Sequence, residues 1–375
     1  MQLRGSKQAA AAGGAAVIAA LALAACSSSS SSSSSATTGS SSTASAAATG
    51  ASSSAAKLSG TINAAGSTFQ TNFQQAASST FSQSVQPGVK VNYGPDGSGA
   101  GRTALYANTV LFAGSDSKIP ASEASKVPAG KTVLYFPVQF GPVAIAYNLP
   151  GVTGLKLDST VLAQIFQGEI KTWNDPAIMA LNPGASLPSA SINLVVRSDS
   201  SGTTANFSAY LVKAAGSAWK LSTGSTIKWP SSAHAANGGS GVAQAIKTTA
   251  DSIGYVDFST ASVSGLSAAS IKNSAGAFVK PSVASATEAA SQVTPAANLT
   301  FSTVDEPGAG SYPITYQSWD LVYAQQPTPN DAALLKAYLG YLLGPGQQLL
   351  GQLNLASLPT AIDSAAVAQL SKITG

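Results

Sequence analysis

The chain has 375 residues, of which 9% are charged, with a formal net charge of +4, one cysteine and one histidine. A lone cysteine excludes a disulfide framework, and one cysteine with one histidine leaves no plausible zinc cluster. Lys and Arg are too sparse and scattered for a nucleic-acid surface, which needs them clustered.

In chain order, Arg4 and Lys7 precede an apolar run from about Ala9 to Ala25, ending at Leu23-Ala24-Ala25-Cys26. A charged start, an apolar stretch and small residues before a cut site predict an export signal over 1–25. The run is short for a membrane span. Leu-Ala-Ala-Cys resembles the lipobox of bacterial lipoproteins, which implies that Cys26 takes a diacylglyceryl group and becomes the new first residue. Residues 26–57 after that cysteine are nearly all Ser, Ala, Thr and Gly. They cannot bury enough apolar surface to offset chain entropy, so a disordered tether is expected.

The remainder, from Leu58, exceeds what one core usually serves, so two lobes are expected. Val89-Lys90-Val91-Asn92-Tyr93 alternates as a half-buried strand does. Thr132 to Asn148, broken by Pro137, Gly141 and Pro142, predicts two strands with a bend between them. Asp158-Ser159 caps a helix carrying Val161, Leu162, Ile165 and Phe166 that stops near Gly168. Ser191 to Arg197 predicts a strand, and a helix with Phe207, Tyr210 and Leu211 on one face follows. Asp331 to Leu343 and Gln347 to Leu353 read as helices separated by Gly344-Pro345-Gly346. Alternating strands and helices indicate an α/β fold with mixed sheets flanked by helices. There is no internal repeat.

Three segments place a Gly/Ser/Thr turn before a helix: Ala65-Gly66-Ser67-Thr68-Phe69, Gly97-Ser98-Gly99-Ala100-Gly101 and Arg197-Ser198-Asp199-Ser200-Ser201-Gly202-Thr203. Each alone reads as an ordinary N-cap. Helix starts also carry unpaired N–H groups and a positive dipole end, and glycine lets the backbone approach an anion. Three such starts with Arg197 are enough to coordinate a small tetrahedral oxyanion. Asp199 is either an Asx-turn residue or the carboxylate that holds the Arg197 guanidinium. Asp116 is either a turn residue at the surface or a carboxylate in the site. In the second case its ligand must bring a proton, as monohydrogen phosphate does and sulfate does not. The polar mismatch with a fully ionised anion is worth several kcal/mol, roughly 10⁴ in discrimination. After Arg4 the only other arginine is Arg102, read as a solvated charge or as a second positive group near the cleft. Ser115-Asp116-Ser117-Lys118 formally fits a Ser-x-x-Lys pattern, but its Ser-Asp-Asn and Lys-Thr-Gly companions are missing and His234 lies in a loop. The glycine turns lack the Gly-Lys-Ser/Thr ending of a nucleotide loop. Binding is expected, not catalysis, with no cofactor and no metal.

These turns recur with Val89-Lys90-Val91-Asn92-Tyr93, Ser115-Asp116, Ile165-Phe166-Gln167-Gly168-Glu169-Ile170-Lys171-Thr172-Trp173-Asn174-Asp175-Pro176, Leu181-Asn182-Pro183-Gly184, Lys228-Trp229-Pro230, Ile253-Gly254-Tyr255-Val256 and Tyr312-Pro313-Ile314-Thr315. In this combination and order the chain resembles the phosphate-binding proteins of phosphate-specific ABC transporters. The resemblance implies a type II-like two-lobe periplasmic-binding-protein fold whose hinge is crossed twice. Lobe one would comprise 58–139 and 313–375, and lobe two 140–312. Inorganic phosphate would be held between them by Thr68, Phe69, Ser98, Asp116, Arg197, Ser201, Gly202 and Thr203. Phe69 and Gly202 would act through backbone N–H groups, and Asp199 would orient Arg197. The implied partners are permease subunits and, through them, a cytoplasmic ATPase. The chain would be a monomer on the outer face of the cytoplasmic membrane, held by lipid on Cys26, and periplasmic where an outer membrane exists. The alternatives are the same fold binding another oxyanion such as sulfate, or a surface protein without transport. Three departures stand out: Ser200 where the family usually has Gly, no acidic residue near Leu111, and Ser231 to Ser240 in place of a Gly-rich loop, which leaves that loop's place at the cleft open.

Overall fold

The computed structural model describes residues 57–375. The export signal, Cys26 and the tether up to residue 56 lie outside the described residues. The strands are β1 (Ser59–Gly66), β2 (Gly88–Gly94), β3 (Phe112–Ser115), β4 (Val133–Asn148), β5 (Lys156–Leu157), β6 (Asn193–Arg197), β7 (His234–Ala236), β8 (Ser252–Asp257), β9 (Ser267–Ala268), β10 (Ser270–Lys272), β11 (Phe278–Val279) and β12 (Thr315–Tyr323). The helices are α1 (Thr71–Thr80), α2 (Ser98–Tyr106), α3 (Ser159–Phe166), α4 (Pro176–Leu181), α5 (Gly202–Tyr210), α6 (Gly238–Thr248), α7 (Phe258–Val263), α8 (Val283–Ser291), α9 (Pro329–Leu343) and α10 (Thr360–Gln369).

The main sheet runs β2-β1-β3-β12-β4-β8-β6-β7, with β9 on β4, and a small sheet runs β11-β10-β5. Pairing is parallel within β2-β1-β3 and within β8-β6-β7, and antiparallel where β12 and β4 join the two groups. Thr132 to Asn148 is therefore one long strand where two were expected. Its first part, up to Pro142, pairs with β12, and its last part, from Val143, pairs with β8. The expected bend is absorbed as a register shift opposite Ser318/Trp319, beside Pro137. Proline supplies no ladder N–H, so the bulge falls where one donor is already missing. Gly141 and Pro142 mark the hand-off from one partner strand to the other.

The two central strands, β4 and β12, are buried on both faces; β4 reads as a near-continuous apolar run, while β12 carries Gln317, Ser318 and Asp320 among its apolar residues. Aromatic packing anchors each group. Phe81, Phe112 and Tyr338 meet on one side, and Phe166, Phe207, Trp229 and Tyr255 on the other. Each of these rings that is fully buried, all but Trp229, contributes about 1.5–3 kcal/mol. Asp158 caps α3 through Val161 N–H at 2.9 Å, and α3 ends at Gln167 before Gly168 at φ +78°. The last expected helix appears instead as two 3-10 turns, Pro345–Leu349 and Gly351–Leu353. Asn354 in the left-handed region ends the second turn.

Candidate functional site

Five turns leave the carboxyl ends of parallel strands and face one another at the β4/β12 hand-off: β1 to Thr68, β2 to α2, β3 to Asp116, β6 to α5 and β7 to α6. Open α/β sheets build ligand sites at this end because helix starts and loop backbone collect there. All residues expected in the site lie in or beside these turns.

Asp116 is 1% exposed and organises the cluster. Its Oδ1 accepts from Ser318 Oγ at 2.5 Å, and its Oδ2 accepts from Ser67 Oγ at 2.7 Å and Ser98 Oγ at 3.3 Å. Its backbone carbonyl accepts from Asn206 Nδ2 at 2.7 Å and Gln317 Nε2 at 3.2 Å. Burial pushes its carboxyl up to about 6, against the opposing pull of the Ser318, Ser67 and Ser98 hydroxyls and of Arg197. The carboxylate is thus ionised at neutral pH, buried, and without a cation bonded directly to it.

Arg197, at the end of β6, is 6% exposed. Its Nε donates to Asp199 Oδ1 at 2.7 Å and its Nη2 to Asp199 Oδ2, a fork that fixes the guanidinium plane. The fork selects the second of the two readings of Asp199. Burial alone raises the Asp199 carboxyl, but the Arg197 bonds outweigh it and hold the group below its ordinary value. Asp199 Oδ1 also accepts from Gly238 N at 3.0 Å, which ties the start of α6 to the same carboxylate.

The remaining residues close the cradle. Ser201 caps α5 by accepting from Thr204 N at 3.1 Å, and Thr203 is buried in that helix's first turn. Phe69 N–H donates to Ser67 Oγ at 3.1 Å, and the Phe69 ring stacks on Tyr316 at 4.2 Å. Thr68 Oγ1 accepts from Gly239 N at 3.4 Å, and Gly99 N donates to Ser200 O at 3.0 Å. Gly202 is required by contact: a Cβ there would lie 2.5 Å from both Asp116 Oδ2 and Ser98 Oγ. Thr68, Phe69, Ser98, Asp116, Arg197, Ser201, Gly202 and Thr203 are brought together at this end of the sheet.

Two expectations are corrected. Arg102 is neither a solvated charge nor a free cation at the cleft. It is 0% exposed, and Glu123 neutralises it through Nε–Oε2 at 2.9 Å and Nη2–Oε1 at 3.1 Å. Its spacing of four from Ser98 turns it inward on the buried face of α2. The segment of Ser231 to Ser240 is not simply a loop, since His234 lies on the edge strand β7 and Gly238 and Gly239 open α6 against Asp199 and Thr68.

Ser67, Ser318, Asn206 and Gln317 complete the Asp116 shell but are not singled out from sequence. Ser67 stands in an expected turn and is overshadowed by Thr68. Thr315–Tyr323 mixes Gln317, Ser318 and Asp320 with aromatics without a clear period. The signal in hindsight is polarity inside a segment too apolar to be a loop.

Among the described residues no group of His, Cys, Asp and Glu is placed to hold a metal ion, and no helix is long and apolar enough to cross a membrane. The Ser115 hydroxyl donates to Ser117 O at 2.7 Å and accepts from Arg102, and Lys118 is exposed, so the Ser-x-x-Lys pattern assembles no base-activated nucleophile.

The PBP superfamily domain matches residues 30–345. The phosphate-binding protein PstS 3 of Mycobacterium leprae is 37% identical over 313 residues, covering 81% of this chain and 84% of that protein. The phosphate-binding protein PstS of Pasteurella multocida is 35% identical over 308 residues, covering 80% and 87%. Among solved structures, the high-affinity periplasmic phosphate-binding protein PfluDING, bound with phosphate, superposes with a TM-score of 0.69 at 23% identity, covering 83% of this chain and 94% of that one. The phosphate-binding protein of Stenotrophomonas maltophilia gives 0.66 at 20% identity, covering 83% and 94%. These two structures share the two-lobe fold. With the superfamily match over most of its length and the extent of its identity to the PstS proteins, the chain belongs to the phosphate-binding PstS family of the PBP superfamily.

Proposed function

We propose that this protein captures inorganic phosphate as the monohydrogen dianion in the cradle around Asp116 and Arg197 and hands it to the permease of an ABC importer. The observation that carries the reading is a buried carboxylate facing a buried guanidinium among helix starts. Thr68, Ser98, Ser201 and Thr203 offer hydroxyls, Phe69 and Gly202 offer backbone N–H groups, and Arg197 offers the guanidinium N–H groups that its fork to Asp199 leaves free. These donors suit the oxygens of a tetrahedral anion. Asp116, an acceptor only, suits the one P–OH.

The hydrogen bonds now made by these donors are the closed-cradle set. Ser98, Ser67 and Thr68 rotate toward an entering anion, since a hydroxyl has one proton and two lone pairs to place. The hand-off at Pro142–Val143 supports lobes of 58–139 with 313–375 and of 140–312, closing about β4 and the start of β12. Gly99 N to Ser200 O and Gly239 N to Thr68 Oγ1 are then contacts between lobes that form on closure. Closure creates the surface that the permease would recognise. Cys26 would anchor the chain on the outer face of the cytoplasmic membrane, and the Ser-rich segment would let the binding lobes reach the permease.

Asp116 also favours phosphate over the reading as a binder of another oxyanion, because sulfate has no proton to offer it. Isothermal titration with phosphate, then with sulfate in competition, tests the proposal. Micromolar or tighter phosphate binding that sulfate does not displace is the expected result. Absence of phosphate binding at that level would leave a surface protein without transport, and equal displacement by sulfate would remove the selectivity argument.

A further inference from the structure

The Arg102 guanidinium does more than pair with Glu123. Its Nη1 donates to Ser117 Oγ at 3.1 Å and to Ser115 Oγ at 3.3 Å. These are the two residues that flank Asp116. Ser115 Oγ in turn donates to Ser117 O at 2.7 Å, so both sides of the Asp116 backbone are tied to one rigid planar group. Glu123 fixes that group in its own plane by two bonds and is itself held by Tyr106 OH at 3.0 Å. Arg102 keeps the Glu123 carboxyl below its ordinary value by hydrogen bonding. One turn earlier on the same helix face, Ser98 touches Asp116 directly. Burying a guanidinium costs several kcal/mol, and well-packed apolar residues serve stability as well or better. The arrangement therefore calls for a role beyond packing.

We propose that the Arg102–Glu123 pair is a positioning device: it sets the direction of the Asp116 carboxylate and so governs discrimination between protonated and fully ionised oxyanions. The proposal rests on the reading of Asp116 as acceptor of the phosphate proton. Arg102 touches no ligand position and acts only through the Ser115–Ser117 segment. A lysine keeps the charge but not the fork, and Glu123→Gln keeps the shape but loses one charge-assisted partner.

The test measures phosphate affinity and displacement by sulfate at pH 7.5 for the full chain, for Arg102→Lys, Glu123→Gln and Asp116→Asn, and for the double variant Arg102→Lys/Asp116→Asn. Arg102→Lys and Glu123→Gln are each expected to narrow the phosphate-over-sulfate ratio by about tenfold. On the Asp116→Asn background, Arg102→Lys is expected to change the ratio by less than about twofold, because the residue it acts through is gone. A lower melting temperature with an unchanged ratio would make the pair merely structural and overturn the proposal, as would an Arg102→Lys effect that persists on the Asp116→Asn background. If Arg102→Lys fails to fold, the ratio in Glu123→Gln decides alone. A wild-type ratio in Asp116→Asn would overturn the reading of Asp116 itself, and it appears without any change at Arg102. A ratio that Asp116→Asn collapses and the two pair variants spare overturns the positioning proposal only.

Discussion

Asp116→Asn separates stability from selectivity. The carboxyl is raised from 3.8 to about 6 by burial, even with three serine hydroxyls donating to it. A raised acid binds its proton more tightly when folded, so its effect on stability is nil below about pH 4, grows unfavourable as pH rises to about 6, and is constant above. At pH 7.5 the raised carboxyl costs at most about 3 kcal/mol of stability. Asn carries no charge, so the unliganded variant is expected to melt higher than wild type at pH 7.5 and alike near pH 4. Discrimination moves the other way. Wild type leaves a carboxylate facing a sulfate oxygen with no proton between them, a mismatch of roughly 10⁴. The Asn amide can donate to that oxygen, so the phosphate-over-sulfate ratio should fall by about 100-fold or more. In wild type, sulfate affinity should rise as pH falls through about 6, where Asp116 gains a proton and becomes a donor, while the variant shows no such rise. Thermal melts and calorimetric titrations with sulfate at pH 7.5 and pH 5 measure both halves. A variant that melts lower at pH 7.5 while keeping wild-type discrimination would refute the argument.

Arg197→Ala removes the one guanidinium facing Asp116 and leaves the half-buried Asp199 carboxylate with only Gly238 N–H, so phosphate affinity should drop by about 100-fold or more. Wild-type titration in that variant would remove Arg197 from the site. Gly202→Ala puts a methyl 2.5 Å from Asp116 Oδ2 and Ser98 Oγ, and overpacking of about 1–3 kcal/mol should weaken phosphate binding about 10- to 100-fold. An unchanged affinity would show that α5 does not press on Asp116. Asp320, fully buried with Gln74 Nε2 at 3.3 and 3.5 Å from its carboxyl, is pushed by burial up to about 7 against the pull of the Gln70 and Gln74 amides. It therefore lowers stability progressively from about pH 4 to pH 7, by at most about 4 kcal/mol. Asp320→Asn should flatten that part of the melting-temperature profile, and an unchanged profile would place the titration elsewhere.

The anion-binding half of the site is legible in the sequence because helix starts are local. Gly97-Ser98-Gly99 and Ser201-Gly202-Thr203 announce a turn and a cap within a few residues. The Arg197–Asp199 fork is also local, spanning two residues. The shell of Asp116 is not. Ser67, Ser318 and Asn206 come from positions 49, 202 and 90 residues away in the chain; the order of strands β1, β3 and β12 brings the two serines to Asp116, and α5, after β6, brings Asn206. Arg102 shows the same limit in reverse. A Gly-rich neighbourhood implies exposure, but Gly101 lets α2 lie so close to β1 that a Cβ would stand 2.5 Å from Gly66 Cα, and the next residue is carried inside. Strand β4 was misdivided because Pro137 and Gly141 break a local pattern, whereas β12 on one side and β8 on the other bridge the break.

The charges around the cradle work against simple attraction. Arg197 is matched by Asp199, Arg102 by Glu123, and Asp116 adds a negative charge with no direct counter-ion. Asp257, buried beside Gly239 and raised by burial to about 6, adds another above that pH. A dianion entering this cluster meets a formally negative set of side chains, so its binding energy must come from dipoles rather than from local net charge. The starts of α2, α5 and α6 supply them, each equivalent to about half a positive charge. The N-cap residues of α2 and α6 give no side-chain bond to those N–H groups; at α6 Asp199 and Thr68 accept from Gly238 and Gly239 instead, and at α2 Ser200 O accepts from Gly99. Dipoles act over a few ångströms and demand correct placement of every oxygen, which a cluster of lysines would not. The carboxylates then contribute by exclusion: they make the space hostile to any anion that lacks a proton for Asp116, and the helix starts make it favourable to one that has it.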